Sequence, residues 1–314
     1  MDSRRRRQLQ FTSHLMMVRP LNFGFNEQTA ESNAFQQKDS SLSASEVRRQ
    51  AVAEFDSFVE ILRNAGITVT VFEDIAVPHT PDAVFPNNWI SFHSEGKICV
   101  YPMLAPNRQA EVRQDMIAKM SEIYSSAEVI DFRSYAKPGQ CLEGTGSMIL
   151  DRAGKVVYAC ISPRTDISLL EKFCEIMGYQ SVVFTATDEN GQEIYHTNVL
   201  MGLGDGFAVI CMDAISDKTE REHVSEALSA GGFEIVNLSH DQMNHFAGNL
   251  LQVINEDGVG YAVVSQRAYD ALDVSQITQI QKYSEILVIP LDVIETFGGG
   301  SVRCMMAEVF PQLK

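Results

Sequence analysis

Long apolar runs are missing from this sequence. Nowhere do about 20 successive apolar residues occur, the length a helix needs to cross a bilayer, so a membrane-spanning protein is excluded and no membrane partner is expected. Basic residues are scarce: 25 Lys and Arg stand against 41 Asp and Glu, a formal net charge of −16 over 314 residues. That balance suits the phosphate backbone poorly, so no nucleic-acid partner is expected either. Cysteines are present without functional spacing. Cys99, Cys141, Cys160, Cys174, Cys211 and Cys304 include no Cys-x-x-Cys pair. Neither a disulfide framework nor a zinc site has its pattern here, and reduced thiols in a cytoplasmic protein are the expectation. The histidines show no metal-ligand spacing, so no metal is expected. Gly-x-Ser-x-Gly, the nucleophile elbow of serine hydrolases, is absent. Gly202-Leu-Gly-Asp-Gly lies between two apolar runs instead of opening a helix, so it fails as a dinucleotide fingerprint.

With only 10 prolines and no low-complexity tract, the composition is that of a folded globular chain. Residues 1–12 begin with Met1-Asp-Ser-Arg-Arg-Arg-Arg and carry no apolar secretory core; they read as a disordered basic tail ahead of one domain over 13–314.

What the chain does have is a repeat. With a period of roughly 50–60 residues, an apolar strand, a polar turn, a second strand, an amphipathic helix and a third strand recur. Hairpins are read at Trp89–His93 with Ile98–Tyr101, Ser147–Leu150 with Lys155–Ala159, Val199–Met201 with Phe207–Ile210, and Leu250–Ile254 with Val259–Val264, each across a polar or glycine-containing turn. Helices are read over 43–64, 107–125, 166–177, 217–230 and 274–283, with Ser43, Asn107 and Asp166 as N-caps. Each leads into a short strand such as Ile67–Val71 or Glu285–Ile289. The strand His14–Arg19 is free to pair with Val302–Phe310 and close the repeat across the chain ends. The fold class is therefore α/β, five ββαβ units in a closed ring.

Such a ring brings the segments before each hairpin to a common centre: Phe85-Pro-Asn-Asn88, Cys141-Leu-Glu143-Gly-Thr-Gly, Tyr195-His196-Thr-Asn198, Asn244–Asn249 and Gly298–Cys304. These polar residues are poor core choices and good pocket choices. Cys304 follows three glycines and Arg303; this fits a nucleophile and a buried structural cysteine equally well. His196 has the chemistry of a proton shuttle, although a lone histidine is more often structural. Glu143 is placed to orient it or to bind a substrate nitrogen.

Taken together, Pro81–Asn88, Leu142-Glu-Gly-Thr-Gly, Ser162-Pro-Arg-Thr165, His196-Thr-Asn and Gly298–Cys304 resemble the guanidine-modifying (pentein) superfamily over nearly the whole chain. That superfamily includes arginine deiminases, dimethylarginine dimethylaminohydrolases and amidinotransferases. Met17–Thr29 looks most like the citrulline-hydrolase branch. The resemblance implies a pentein α/β propeller, Cys304 as nucleophile, His196 as general acid/base and Glu143 as its partner. It also implies Asp82 for a substrate α-ammonium group and Arg108 and Arg164 for its carboxylate, with no cofactor. A homodimer is compatible with it.

Three departures set the substrate expectation. Where arginine deiminases carry Phe-x-Arg-Asp, this chain has Phe85-Pro-Asn87-Asn88; Asn198 replaces the Asp of His-x-Asp; and the last Asp of Glu-Gly-Gly-Asp is glycine or serine. A buried cation without carboxylates costs several kcal/mol, whereas an amide both donates and accepts and so suits a neutral ureido group. The expected substrate is a ureido amino acid, foremost citrulline, bound with Asn249 among the pocket residues. The alternatives are a guanidine substrate and a non-catalytic relative of the same fold. Leu21–Asn26 is read as a lid or an ordinary packed loop.

Overall fold

Glycine-punctuated hairpins followed by capped helices build the same small sheet five times. The computed structural model describes residue 7 and residues 9–38, 41–123 and 127–310. Strand β1 (His14–Arg19) is followed by helix α1 (Ala44–Asn64) and β2 (Thr68–Glu73). Next come β3 (Ile90–His93), β4 (Lys97–Val100), α2 (Gln114–Ser121) and β5 (Glu128–Asp131). The third unit is β6 (Ile149–Asp151), β7 (Val156–Cys160), α3 (Ile167–Met177) and β8 (Gln180–Phe184). The fourth is β9 (Met201–Leu203), β10 (Phe207–Ile210), α4 (Lys218–Ala230) and β11 (Glu234–Asn237). The fifth is β12 (Leu251–Ile254), β13 (Gly260–Ser265), α5 (Val274–Gln281) and β14 (Glu285–Ile289), and the described chain ends near β15 (Ala307–Glu308).

In four of the five sheets an antiparallel hairpin is extended by a parallel strand reached through the helix, as in Ile90↔Val100 and Cys99↔Ile130. The remaining sheet has order β15–β1–β2 and joins the chain ends: Leu15 pairs with Glu308 antiparallel and with Val69 parallel. The hairpin edge strands lie inward, with β15 against β3, β6 against β9 and β9 against β12. The result is a five-sheet propeller with the helices outside.

Local chemistry explains the helix positions. Ser43 and Glu46 form a reciprocal capping box on α1, Asp273 and Gln276 do so on α5, and Asp166 accepts from the Ser168 and Leu169 N–H groups. The buried face of α1 is Val47, Ala51, Phe55, Phe58, Val59 and Leu62, a helical stripe packed on β1 and β2. The helix expected over 107–125 is two pieces. Pro106–Gln109 is one turn begun at Ala105, not capped by Asn107, and α2 starts only at Gln114. The break follows from Glu111, which turns inward to the buried Arg108, and from the extended backbone at Arg113.

Two further expectations shift. Residues 1–6 and 8 lie outside the described residues, but Gln10, Phe11 and Thr12, within the segment read as a tail, are buried. Gln10 donates to Leu150 O and Thr12 to Val309 O, so packing begins before residue 13. The strands expected to start at Ser147 and Val199 start later, at Ile149 and Met201. The polar segments before them wind into single helical turns, Gly144–Ser147 and Thr197–Leu200, and Val302–Met305 does the same before β15.

Candidate active site

Those helical turns carry the candidate site residues. Ser147 Oγ accepts from the Glu143 N–H at 3.0 Å and donates to Arg164 O, fixing the start of the first turn. Thr197 Oγ1 donates to Ser147 O at 2.6 Å and accepts from Cys160 N–H, stitching the second turn to the first. His196 Nε2 lies 2.7 Å from Glu143 Oε2, and both residues are almost fully buried. Glu143 Oε1 accepts from the Leu104 N–H, and Arg164 Nη1 stands 3.5 Å from Oε2.

The electrostatics assign the proton. Burial alone raises a carboxylic acid, but the Arg164 guanidinium and His196 outweigh it and hold Glu143 well below the usual carboxylate range. Burial pushes the His196 imidazole down to about 4, more than the Glu143 bond restores. His196 is therefore neutral near pH 7, with Nε2–H donating to Glu143. That leaves Nδ1 as the acceptor, facing Gly146, where a Cβ would lie 2.8 Å from Nδ1 and 2.4 Å from Asn88 Nδ2. Only glycine leaves room for both groups.

Two amides converge on the sulfur. Asn198 Nδ2 and Asn249 Nδ2 each lie 3.3 Å from Cys304 Sγ, and no carboxylate is hydrogen-bonded to that sulfur among the described residues. The amide of Asn249 is oriented by backbone: its Oδ1 accepts from the Arg303 N–H at 3.0 Å, and its Nδ2 also donates to Asn198 O. Gly248 permits this approach, since a Cβ there would sit 2.4 Å from Val199 O. Asn198 Oδ1 is buried without a partner.

Asn88 is held from the other side. Arg108 Nη1 donates to Asn88 Oδ1 at 2.8 Å, so the Asn88 amide nitrogen is turned toward Gly146, buried and unpartnered. Arg108 is in turn gripped by Glu111 through two bonds of 2.9 Å, and its Nη2 also reaches the carbonyls of Asp82 and Phe85. Every nitrogen of Arg108 is thus engaged by protein acceptors; the geometry presents it as a brace for Asn88 rather than a free carboxylate fork. Asp82 Oδ2 accepts from Asn26 at 2.7 Å, while Oδ1 has no partner. Asn87 Nδ2 donates to Thr145, and the Phe85 ring packs against Gly298 and Gly300. Arg164 lies over the Tyr195 ring and donates to Ser32 Oγ at 2.7 Å.

The covering segment is longer than the loop 21–26 read as a lid. Asn26 and Thr29 reach Asp82, Ser32 reaches Arg164, Asn33 reaches the carbonyls of Gly298 and Gly299, and Phe35 packs on Tyr195 and Phe246. Under this strap Cys304 is 3% exposed and His196 2%. Sequence reasoning missed Glu111, whose i,i+3 spacing to Arg108 was the available signal. Tyr195 was placed in a central segment without a role; its hydroxyl donates to Gly299 O. Among the described residues no cluster of three metal-ligating side chains occurs, and no helix is long and apolar enough to cross a membrane.

Residues 19–311 match the family described as "N,N dimethylarginine dimethylhydrolase, eukaryotic". The chain belongs to this family. It is a family of hydrolases acting on C–N bonds within the pentein superfamily. No curated protein matches the sequence. The fold is similar to that of ArgZ, a cyanobacterial arginine dihydrolase, at TM-score 0.74 and 16% identity, over 96% of this chain and 41% of that one. It is similar to a substrate-bound mutant of the isolated N-terminal domain of ArgZ at TM-score 0.73 and 15% identity, over 96% and 99% of the two chains. A dimethylarginine dimethylaminohydrolase variant carrying an S-methyl-L-thiocitrulline adduct matches at TM-score 0.64 and 14% identity, over 95% and 99%. The chain thus spans about two fifths of full-length ArgZ and nearly all of its N-terminal domain. The family match places the chain in the pentein superfamily, and these structures share its fold; the narrower placing beside citrulline hydrolases finds no support among them.

Proposed function

We propose that this chain is a cysteine hydrolase that breaks a terminal C–N bond in the guanidino head of arginine or a methylated arginine. The observation that carries the reading is the convergence, out of solvent, of Cys304 with two amide donors and a neutral His196 whose Nδ1 is free. Family membership and the neighbours that handle arginine and its derivatives favour the guanidino head over the ureido head expected from the sequence.

In this scheme Cys304 Sγ attacks the head carbon and forms a C–S bond. His196 Nδ1 relays a proton from one head nitrogen to the departing one, the C–N bond breaks, and ammonia or a methylated amine leaves. Water then adds to the resulting isothiourea carbon with His196 taking its proton. The C–S bond breaks, the thiolate is restored and the carbonyl product departs. Asp82, with its unpartnered Oδ1, and Arg164 would take the α-ammonium and carboxylate ends once the strap groups on them yield.

One observation favours a second reading, citrulline. Asn88 offers an orphaned donor and Asn198 an orphaned acceptor, the complement of a ureido C=O and N–H, whereas a guanidinium offers donors only. Incubation with arginine, its methylated forms and citrulline, following ammonia, amines, citrulline and ornithine, separates the two. Faster turnover of an arginine supports the first reading and faster turnover of citrulline the second. Turnover of none of them refutes both.

A further inference from the structure

The mechanism leaves open how the sulfur becomes a nucleophile. A histidine commonly does this by forming an ion pair with the cysteine. Here His196 points its Nε2–H at Glu143, is neutral, and has no hydrogen bond to Cys304. The groups that do touch the sulfur are Asn198 and Asn249.

We propose that Asn249, together with Asn198, is a catalytic residue that holds and aims the Cys304 sulfur for attack, a task separate from the proton shuttle at His196. The Asn249 amide cannot turn its oxygen to the sulfur without abandoning the Arg303 N–H, because that N–H needs Oδ1. Its Nδ2–H groups therefore serve Sγ and the Asn198 carbonyl together. Two N–H donors fix the direction of the buried sulfur, and such bonds become about twice as strong when their acceptor carries charge.

The backbone around Asn249 is built for this placement. Phe246 holds φ +63°, a conformation that costs a non-glycine residue energy, and the Asn249 N–H closes the turn onto Phe246 O at 2.8 Å. Gly248 lets the turn press against Val199 and Leu200. The same turn is bonded to the backbone of Arg303, the residue before Cys304, which ties the Asn249 donor to the segment that carries the sulfur.

The test needs no substrate, so it stands apart from the choice between guanidino and ureido heads. The second-order rate of alkylation of Cys304 by iodoacetamide is measured at one fixed pH as the difference between the protein and its Cys304→Ser form. The same rate is measured in the Asn249→Ala, Asn198→Ala, Asn249→Asp and His196→Ala backgrounds, each confirmed folded by its thermal transition. Asn249→Ala is expected to lower the rate on the order of tenfold. Asn249→Asp keeps an acceptor for the Arg303 N–H but sets a carboxylate against the sulfur, so it is expected to lower the rate further. This outcome distinguishes a donor role from a structural one. His196→Ala is expected to leave the rate within about twofold of the parent. Unchanged rates in both Asn249 variants, or a loss in His196→Ala as large as in Asn249→Ala, would overturn the proposal.

Discussion

His196 Nε2 and Glu143 Oε2 stand 2.7 Å apart, and this contact decides which nitrogen of the ring can work. With Nε2–H committed to the carboxylate, Nδ1 is left facing the space above Gly146. In the proposed mechanism, replacing Glu143 by Gln keeps an acceptor but removes the charge that would steady an imidazolium in the transition state. Steady-state kinetics should show kcat reduced on the order of a hundredfold or more with KM changed little. A fall in substrate affinity alone would assign Glu143 to binding instead.

Gly146 is where the two sides of the centre meet. A methyl group there overlaps Asn88 Nδ2 at 2.4 Å and the His196 ring at 2.8 Å, and neither neighbour is free to retreat. Gly146→Ala should cost about 1–3 kcal/mol of stability in urea unfolding and lower kcat/KM on the order of tenfold or more. A variant as active as the parent would show that Asn88 and His196 are not held against this backbone.

Arg108 braces Asn88, and Glu111 braces Arg108. Glu111→Gln leaves a buried guanidinium with a poorer partner, so about 3 kcal/mol of destabilisation is expected by urea unfolding. Because the Asn88 amide is then free to rotate, the ratio of guanidino to ureido turnover should change as well. Loss of stability with an unchanged ratio would limit the pair to a structural role.

The folded protein holds His196 at about 4, against about 6.5 for an unrestrained imidazole. As pH falls below 6.5 the unfolded chain takes up that proton first, so this residue's contribution to stability is complete above pH 6.5 and is lost as pH falls toward 4. Glu143, depressed in the fold, adds a loss of the same sign at still lower pH. Urea midpoints at pH 7.5, 5.5 and 4.5 should show a shallower decline in His196→Gln than in the parent, by up to about 3 kcal/mol across the window. A steeper decline would mean that the ring is charged in the folded state.

Much of this architecture was legible in the sequence because it rests on local rules. Polar and glycine turns between β-rich runs set the hairpins, and Ser43 and Asp166 announce their helices as N-caps. The pairing of His14–Arg19 with the C-terminal strand followed from completing the repeat. What could not be read depends on contacts far apart in the chain. Ser147 and Val199–Leu200 were read as the starts of strands, yet Ser147 bonds to Arg164 O and Thr197 to Ser147 O, and both segments wind into helical turns. Arg108 was assigned by resemblance to a substrate carboxylate, but only the fold reveals that Glu111 and Asn88 already hold it. Asn249 was read as a pocket residue; its bond to the Arg303 N–H places it on the sulfur itself.

The most direct test of covalent catalysis at Cys304 is intact-protein mass spectrometry after rapid acid quenching with arginine, followed by peptide mapping. The account predicts a transient adduct on the Cys304 peptide, equal to substrate minus the departed amine, that disappears as turnover completes and never forms in Cys304→Ser. Sustained turnover with no adduct on Cys304, or with Cys304→Ser as active as the parent, would contradict it.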